Sequence, residues 1–157
     1  MKKLFLITAM FIATSVWAYN ETDLLKFNAI NICKGCDLSG ADLRVKSGSS
    51  RGGTNLEGSN LSKANLTKVD FSGGANFRKV NLAGADLTKT NLIGVNLREA
   101  NLTGANLRKA SLSRTILEGA NLTDTDLTEA YSLWRVKLDG AIFCRTKTPW
   151  GELNDGC

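Results

Sequence analysis

The chain has 157 residues, of which 43% are hydrophobic, 22% charged and 7% aromatic, with 15 glycines, one proline and no histidine. That length suits a single domain, and the apolar content excludes a disordered chain. The missing histidine excludes a Ser-His-Asp triad, a Cys-His dyad and any His-containing zinc site, so the composition argues for no enzyme and no cofactor.

The chain opens with Lys2 and Lys3, followed by an apolar run from Leu4 through Val16. Val16-Trp17-Ala18 places small residues at the minus-three and minus-one positions of a cleavage site. This is the layout of a secretory signal peptide over residues 1–18, cleaved after Ala18. The run is shorter than the roughly 20 residues that span a bilayer. Cleavage removes two lysines and no acid, lowering the net charge from +5 to +3. The expected location is periplasmic or secreted, where cysteines oxidise.

Residues 20–31 read as a short helix, with Asn20 as N-cap and Glu21 and Asp23 in the first turn. Leu24, Phe27 and Ile30 or Asn31 share one face, which would cover the start of the fold that follows.

A five-residue repeat organises the rest. Large apolar residues recur at Leu38 and Leu43, at Leu56, Leu61, Leu66 and Phe71, then every fifth residue from Phe77 to Leu127, and at Leu133, Leu138 and Phe143, giving twenty repeats. One-residue slips fall at Gly73-Gly74 and near Ala130-Tyr131. Two places before each large residue stands a smaller one, with mostly Asn or Asp between, as in Ala105-Asn106-Leu107-Arg108-Lys109. A period of five fits neither regular element. In a helix, successive leucines would scatter by about 140°. In a straight strand they would fall on opposite faces. A chain that bends once per repeat buries both the leucine and the small residue and winds into a coil with an apolar interior. Asn, Asp and the glycines at the last place, such as Gly84, Gly94, Gly104 and Gly119, suit such bends. Asn-x-Thr matches such as Asn65-Leu66-Thr67 arise from the repeat itself and carry little weight as glycosylation sites.

Over residues 36–145 the sequence resembles the pentapeptide-repeat family, whose motif is Ala-(Asn/Asp)-Leu-x-x. The resemblance implies an all-β fold, a right-handed quadrilateral β-helix. Its roughly four repeats per turn imply about five coils here and a rod about 24 Å long. Residues 19–35 then form an N-terminal cap with the short helix, and residues 146–157 a C-terminal cap. Residues 44–53, Arg-Val-Lys-Ser-Gly-Ser-Ser-Arg-Gly-Gly, break the motif and read as a flexible loop insertion, either a tolerated bulge or a contact loop.

In such a rod, Cys33 and Cys36 lie at one end and Cys144 and Cys157 at the other, which disfavours a four-cysteine zinc site. Two local disulfides, Cys33–Cys36 and Cys144–Cys157, are the better reading, and the arrangement is similar to that of some family members. The alternative for Cys33-Lys34-Gly35-Cys36 is a redox site, although the βαβ context of such sites is absent. Pro149-Trp150-Gly151 makes a turn that would lay Trp150 over the last leucine layer.

With four repeats per turn, Lys68, Lys89 and Lys109 align in one column, which Glu129 ends, with Arg108 beside Lys109, and Arg114, Trp134 and Arg135 fall on the next face; the column is either an ordinary solvated face or a stripe for an anionic partner. These seven are the candidate binding residues. The family includes members that mimic DNA and bind type II topoisomerases, which takes a strongly negative rod. This chain is positive and its leader directs it away from the cytoplasm, so that activity is not expected; nucleic-acid binding is not expected either, because a net charge of +3 is weak and aromatic stacking platforms are scarce. The reading is a non-enzymatic, exported scaffold or protein-interaction module. The alternative is a binder of an anionic polymer or membrane surface through the lysine column. The expected partner is a protein of unknown identity, and a homodimer is a further option.

Overall fold

A computed structural model describes residues 19–44, 51 and 53–157. The leader and most of the 44–53 loop, residues 45–50 and 52, lie outside the described residues. One helix, α1 (Glu21–Ile30), precedes the repeats, and one short hairpin, β1 (Thr146–Thr148) and β2 (Gly151–Leu153), follows them. No helix among the described residues is long and apolar enough to cross a membrane.

Between these elements the chain forms single parallel bridges rather than strands. The bridging residue is the Asn/Asp place of each repeat. Partners lie four repeats apart, as in Asn81↔Asn101 and Asn101↔Asn121. Each repeat is a straight segment too short for more than one bridge. Its leucine N–H donates to the Asn-place carbonyl of the following coil, as Leu61 does to Asn81 at 2.7 Å. Its Asn-place N–H donates back to the small residue of the preceding coil, as Asn81 does to Ser59 at 2.9 Å. The repeats therefore stack into a β-solenoid.

The bends differ from expectation in one respect. Asn and Asp do not take the unusual dihedrals themselves. Their Oδ1 atoms accept the N–H two residues on, as Asn65 does from Thr67 at 3.1 Å, and the positive φ falls on the fifth place of the repeat. Glycine takes that place at Gly84 and Gly104, with φ of 65° at both. At many others it is a long polar residue, such as Lys68 at φ 62° or Glu99 at φ 56°. The turn closes when the next small residue donates to the leucine carbonyl three back, as Val69 does to Leu66 at 3.1 Å. Lysine there accepts backbone strain in exchange for an outward-pointing charge.

The interior is a column of leucines. Those from Leu38 to Leu127 are buried, together with Phe71 and Phe77. The two phenyl rings meet edge to face at 4.8 Å across the Gly73-Gly74 slip. Buried threonines at the small place also bond inward. Thr90, Thr115 and Thr125 each donate Oγ1–H to a leucine carbonyl of the preceding coil at 2.8 Å. The expected burial stops short of the last repeats. Leu133 and Phe143 are only partly buried and Leu138 is exposed, because no further coil stacks on them.

Asn20 caps α1 as expected, its Oδ1 accepting from the N–H groups of Thr22 and Asp23. Phe27 is buried and Leu24 packs on the core. Ile30 does not join that face and is exposed, and Asn31 ends the helix in the left-handed region at φ 55°. The bridges on either side of the 44–53 stretch, such as Asp37↔Asn60, are offset by 23 residues against 20 in the regular region. The break therefore takes the place of one repeat and adds only three residues. Arg51, expected as a loop cation, is buried. Its Cζ lies 4.5 Å from the Phe27 ring centroid. Its Nη atoms donate to Oδ1 of Asn31 at 2.7 Å and of Asn28 at 3.1 Å. Arg44 is exposed and pairs with Asp42.

Candidate interaction surface

The fifth places of the repeats form four corner columns along the solenoid. Lys68, Lys89 and Lys109 occupy one of them. The Lys68 N–H donates to the Thr88 carbonyl at 3.0 Å and that of Lys89 to Arg108 at 3.0 Å. The shared φ of 58–62° gives the three side chains the same outward direction. Glu129 continues the column at φ 60°. The Lys109 ammonium lies 3.1 Å from its carboxylate, and Arg108 pairs with it as well. The Lys109 contact, reinforced by Arg108, holds the Glu129 carboxyl below the usual carboxylate range. Arg108 also reaches Asp126 at 3.7 Å and donates to Thr128 Oγ1 at 2.9 Å. The expected column of three open cations is therefore reduced to Lys68 and Lys89. Neither has a carboxylate within ion-pair distance among the described residues.

The neighbouring corner brings Arg114, Trp134 and Arg135 together. The Arg114 N–H donates to the Trp134 carbonyl at 2.9 Å, stacking one coil on the next. The Arg114 guanidinium lies 5.2 Å from the Trp134 ring centroid and that of Arg135 4.1 Å. Such contacts fix planar guanidiniums without neutralising them. Neither arginine has an ion pair among the described residues. Trp134 is 54% exposed, and Tyr131 beside it, in an Asn place, is 55% exposed.

Many of the other surface charges pair from coil to coil. Lys34 pairs with Glu57 at 3.3 Å, and Arg78 and Lys79 both reach Glu99 at 3.6 Å. Arg98 and Lys137 converge on Glu118, and Arg145 binds Asp124 at 2.6 Å. Arg145 holds the Asp124 carboxyl below its ordinary value. These pairs are largely exposed and each contributes little stability. Among the described residues, the corner cations left without an ion pair are Lys68 and Lys89, Arg114 and Arg135, and Lys63 on a corner of its own, at φ 59°.

Cysteines pair at both ends, Cys33 with Cys36 and Cys144 with Cys157. The first disulfide is buried beside α1, and the Asp23 carboxylate lies within 4.8 Å of both sulfurs. That carboxylate accepts the Asp37 N–H at 2.9 Å, which fastens the helix to the first coil. With both sulfurs bonded to each other, the trio offers no thiolate to a metal.

Sequence reasoning missed two features. Tyr131 is one, and the exposed apolar residues Leu138, Ile142, Trp150 and Leu153 at the C-terminal end are the other. Trp150 stands at the rim of that end and is 80% exposed instead of covering the last leucines. The available signal was an apolar side chain in the Asn place, at Tyr131 and Ile142.

The family model for pentapeptide repeats matches residues 52–74, 75–114 and 105–145. No curated protein sequence matches significantly. Among solved structures, a pentapeptide repeat protein of the Arabidopsis thaliana thylakoid lumen is 28% identical, with a TM-score of 0.43 over 72% of this chain and 66% of that one. HetL, a pentapeptide repeat protein involved in heterocyst differentiation regulation in the cyanobacterium Nostoc, is 27% identical, with a TM-score of 0.37 over 78% of this chain and 63% of its own. QnrB1, a plasmid-mediated fluoroquinolone resistance protein, is 21% identical, with a TM-score of 0.37 over 70% of this chain and 80% of its own. The chain thus spans slightly less than two thirds of the first two. With a five-residue motif stacked into bridged coils and a family model matching more than half its length, the chain belongs to the pentapeptide-repeat family.

Proposed function

We propose that this chain is an exported, non-enzymatic interaction scaffold of about five coils, held in the periplasm or secreted, whose contact surface is the corner built by Arg114, Trp134 and Arg135 with Tyr131. One observation carries the reading. An exposed indole lies against two guanidiniums that no carboxylate among the described residues neutralises, on a molecule that pairs most of its other described corner charges. Tryptophan, tyrosine and arginine are the residues that dominate protein interfaces, because they add large contact area at little conformational cost. The solenoid supplies rigidity, since each corner is pinned by backbone bonds to the coils on either side. The two disulfides and the leader motif favour an oxidising compartment.

The test places a photoreactive amino acid at Tyr131 and, as control, at Thr103 on the opposite side of the solenoid, in the native envelope. A discrete adduct from position 131, absent from position 103 and weakened by Trp134→Ala, is expected. Equal labelling at both positions would refute the assignment.

A second reading rests on Lys68 and Lys89, stacked and without an ion pair among the described residues. A binder of anionic polymer or membrane would lose affinity for anionic vesicles as salt rises and on Lys→Glu substitution at both positions. Binding indifferent to both would exclude it. The positive charge argues against mimicry of DNA.

A further inference from the structure

Two of the cation groups that lack an ion pair among the described residues border the same side of the solenoid. Lys68 and Lys89 stand at the corner where the chain enters that side, and Arg114 and Arg135 at the corner where it leaves. Two columns of residues cross the side between them. Asn91, Ser111 and Tyr131 bridge one another from coil to coil. Ile93, Ser113 and Trp134 form the second column, since the Gly94 N–H donates to the Ser113 carbonyl and the Arg114 N–H to the Trp134 carbonyl, both at 2.9 Å. Ile93, Tyr131 and Trp134 are exposed. The coil between Ile93 and Trp134 presents only the small side chains of Ser111 and Ser113 on this side. A low strip therefore crosses the side, walled by Ile93 on one coil and by Tyr131 and Trp134 two coils on, with lysine at one end and guanidiniums at the other. Two acids lie near it. Glu129 is held by Lys109 and Arg108, and Asp70, one coil before Asn91, accepts the Ser72 N–H at 2.8 Å.

We infer that this strip binds an extended acidic peptide segment of a partner protein, with two carboxylates four residues apart and an apolar side chain midway between them. The inference rests on the reading of the Trp134 corner as the contact surface and adds the chemistry of what it takes. One side of the solenoid holds one repeat, so it spans at most about 16 Å at roughly 3.3 Å per residue, and less once the corner is turned. Side chains of an extended peptide alternate, so only even spacings aim two acids at one surface. A spacing of two covers about 7 Å, four about 13 Å and six about 20 Å, and only four matches the width of the side. One acid then meets Lys89, with Lys68 next to it, and the other meets Arg114 and Arg135, whose planar forks suit a carboxylate. The residue midway faces the same surface and lies between Ile93 and Trp134. Those walls stand two coils apart, about 10 Å, the width of one extended chain. A polysaccharide fits less well, because the indole ring that a sugar would stack on is already taken up by guanidiniums at 4.1 and 5.2 Å.

The test titrates end-blocked peptides into the isotope-labelled, oxidised protein and follows its amide resonances. Gly-Glu-Ser-Leu-Ser-Glu-Gly should give saturable shifts at Lys89, Ile93, Ser113 and Arg114. Gly-Glu-Ser-Leu-Glu-Ser-Gly has the same composition but turns one acid away, and should bind about two- to fivefold more weakly. Lys89→Gly and Arg114→Gly should each weaken the first peptide by about two- to fivefold, and glycine keeps the left-handed corner in both. Lys63→Gly removes an unpaired cation from a different corner and should leave the affinity unchanged. Equal affinity for the two spacings, an equal loss with Lys63→Gly, or shifts at these amides produced only by polygalacturonate or anionic vesicles would each overturn the inference. If neither peptide shifts this side while position 131 still yields its crosslinked adduct, the corner stands as a contact surface and the acidic-strand inference alone fails. If the adduct is missing as well, both fail.

Discussion

Arg51 offers the sharpest test of how the N-terminal cap is held. The residue is 7% exposed, with no carboxylate in ion-pair distance among the described residues. Burial lowers its pKa from the ordinary arginine value. Its favourable contacts are two charge-assisted hydrogen bonds, to Asn31 and Asn28, of about 1.5–3 kcal/mol each. The face contact with Phe27 adds about 0.5–2 kcal/mol. Against these stands the loss of guanidinium hydration, several kcal/mol in real proteins, and Nε is buried without a partner. The polar contributions nearly cancel, which leaves packing of the aliphatic stem as the net stabilisation. Arg51→Met keeps the stem and should change stability by less than about 1 kcal/mol. Arg51→Ala removes the two methylenes beyond Cβ and should cost about 1.5–2 kcal/mol, or roughly 3–8 °C in Tm for a chain of this size. Calorimetry measures the first quantity, and hydrogen exchange at Leu24 and Asn31 shows whether α1 is what loosens. If Arg51→Met proves as damaging as Arg51→Ala, the hydrogen bonds hold the cap and the packing argument fails.

The corner residues make a paired prediction. Gly104→Ala, at φ 65° with open space where the added methyl group would stand, should cost about 1–2 kcal/mol from backbone strain alone, whereas Lys89→Gly, at φ 60°, should be neutral or slightly stabilising. Denaturant titration checks both, and equal losses would mean that corner strain is not the controlling factor. At the small place, Thr90→Val should lie within about 1 kcal/mol of wild type, since a methyl group replaces one hydroxyl donor and the Leu66 carbonyl keeps its bond from Val69. A loss above roughly 2 kcal/mol in chemical unfolding would make that hydroxyl a principal tie between coils. In acid, the folded pKa values of Asp42, Asp124 and Glu129 lie below their unfolded values through Arg44, Arg145 and Lys109. The stability they supply is complete above the unfolded pKa of about 4 and fades as pH falls through the lower folded values. Tm should therefore be flat from about pH 5 to 8 and decline below about pH 4, by less in high salt. A Tm that rises on acidification would contradict the pairing.

The period of five, with a small residue two places before each leucine, was enough to determine the winding and the identity of the interior, because only a chain that bends every repeat can bury all those side chains. The coil-to-coil alignment of Lys68, Lys89 and Lys109 followed from the same arithmetic, and the helix capped by Asn20 from its capping residue and acidic first turn. Which cations stay open followed only in part: the same arithmetic puts Glu129 at the end of the lysine column, but does not show that Arg108 joins Lys109 on its carboxylate, since that depends on how the side chains of neighbouring coils reach one another. Arg51 reads as a loop cation in a Ser/Gly stretch, yet its stem belongs over Phe27, a residue of a different segment. The open C-terminal end was equally hidden: Leu138 carries the same motif as the buried leucines, and its exposure is decided by whether another coil lies beyond it. Local pattern sets which way each side chain points, whereas the neighbours that cover or neutralise it come from sequence-distant coils, and only the tertiary structure brings those together.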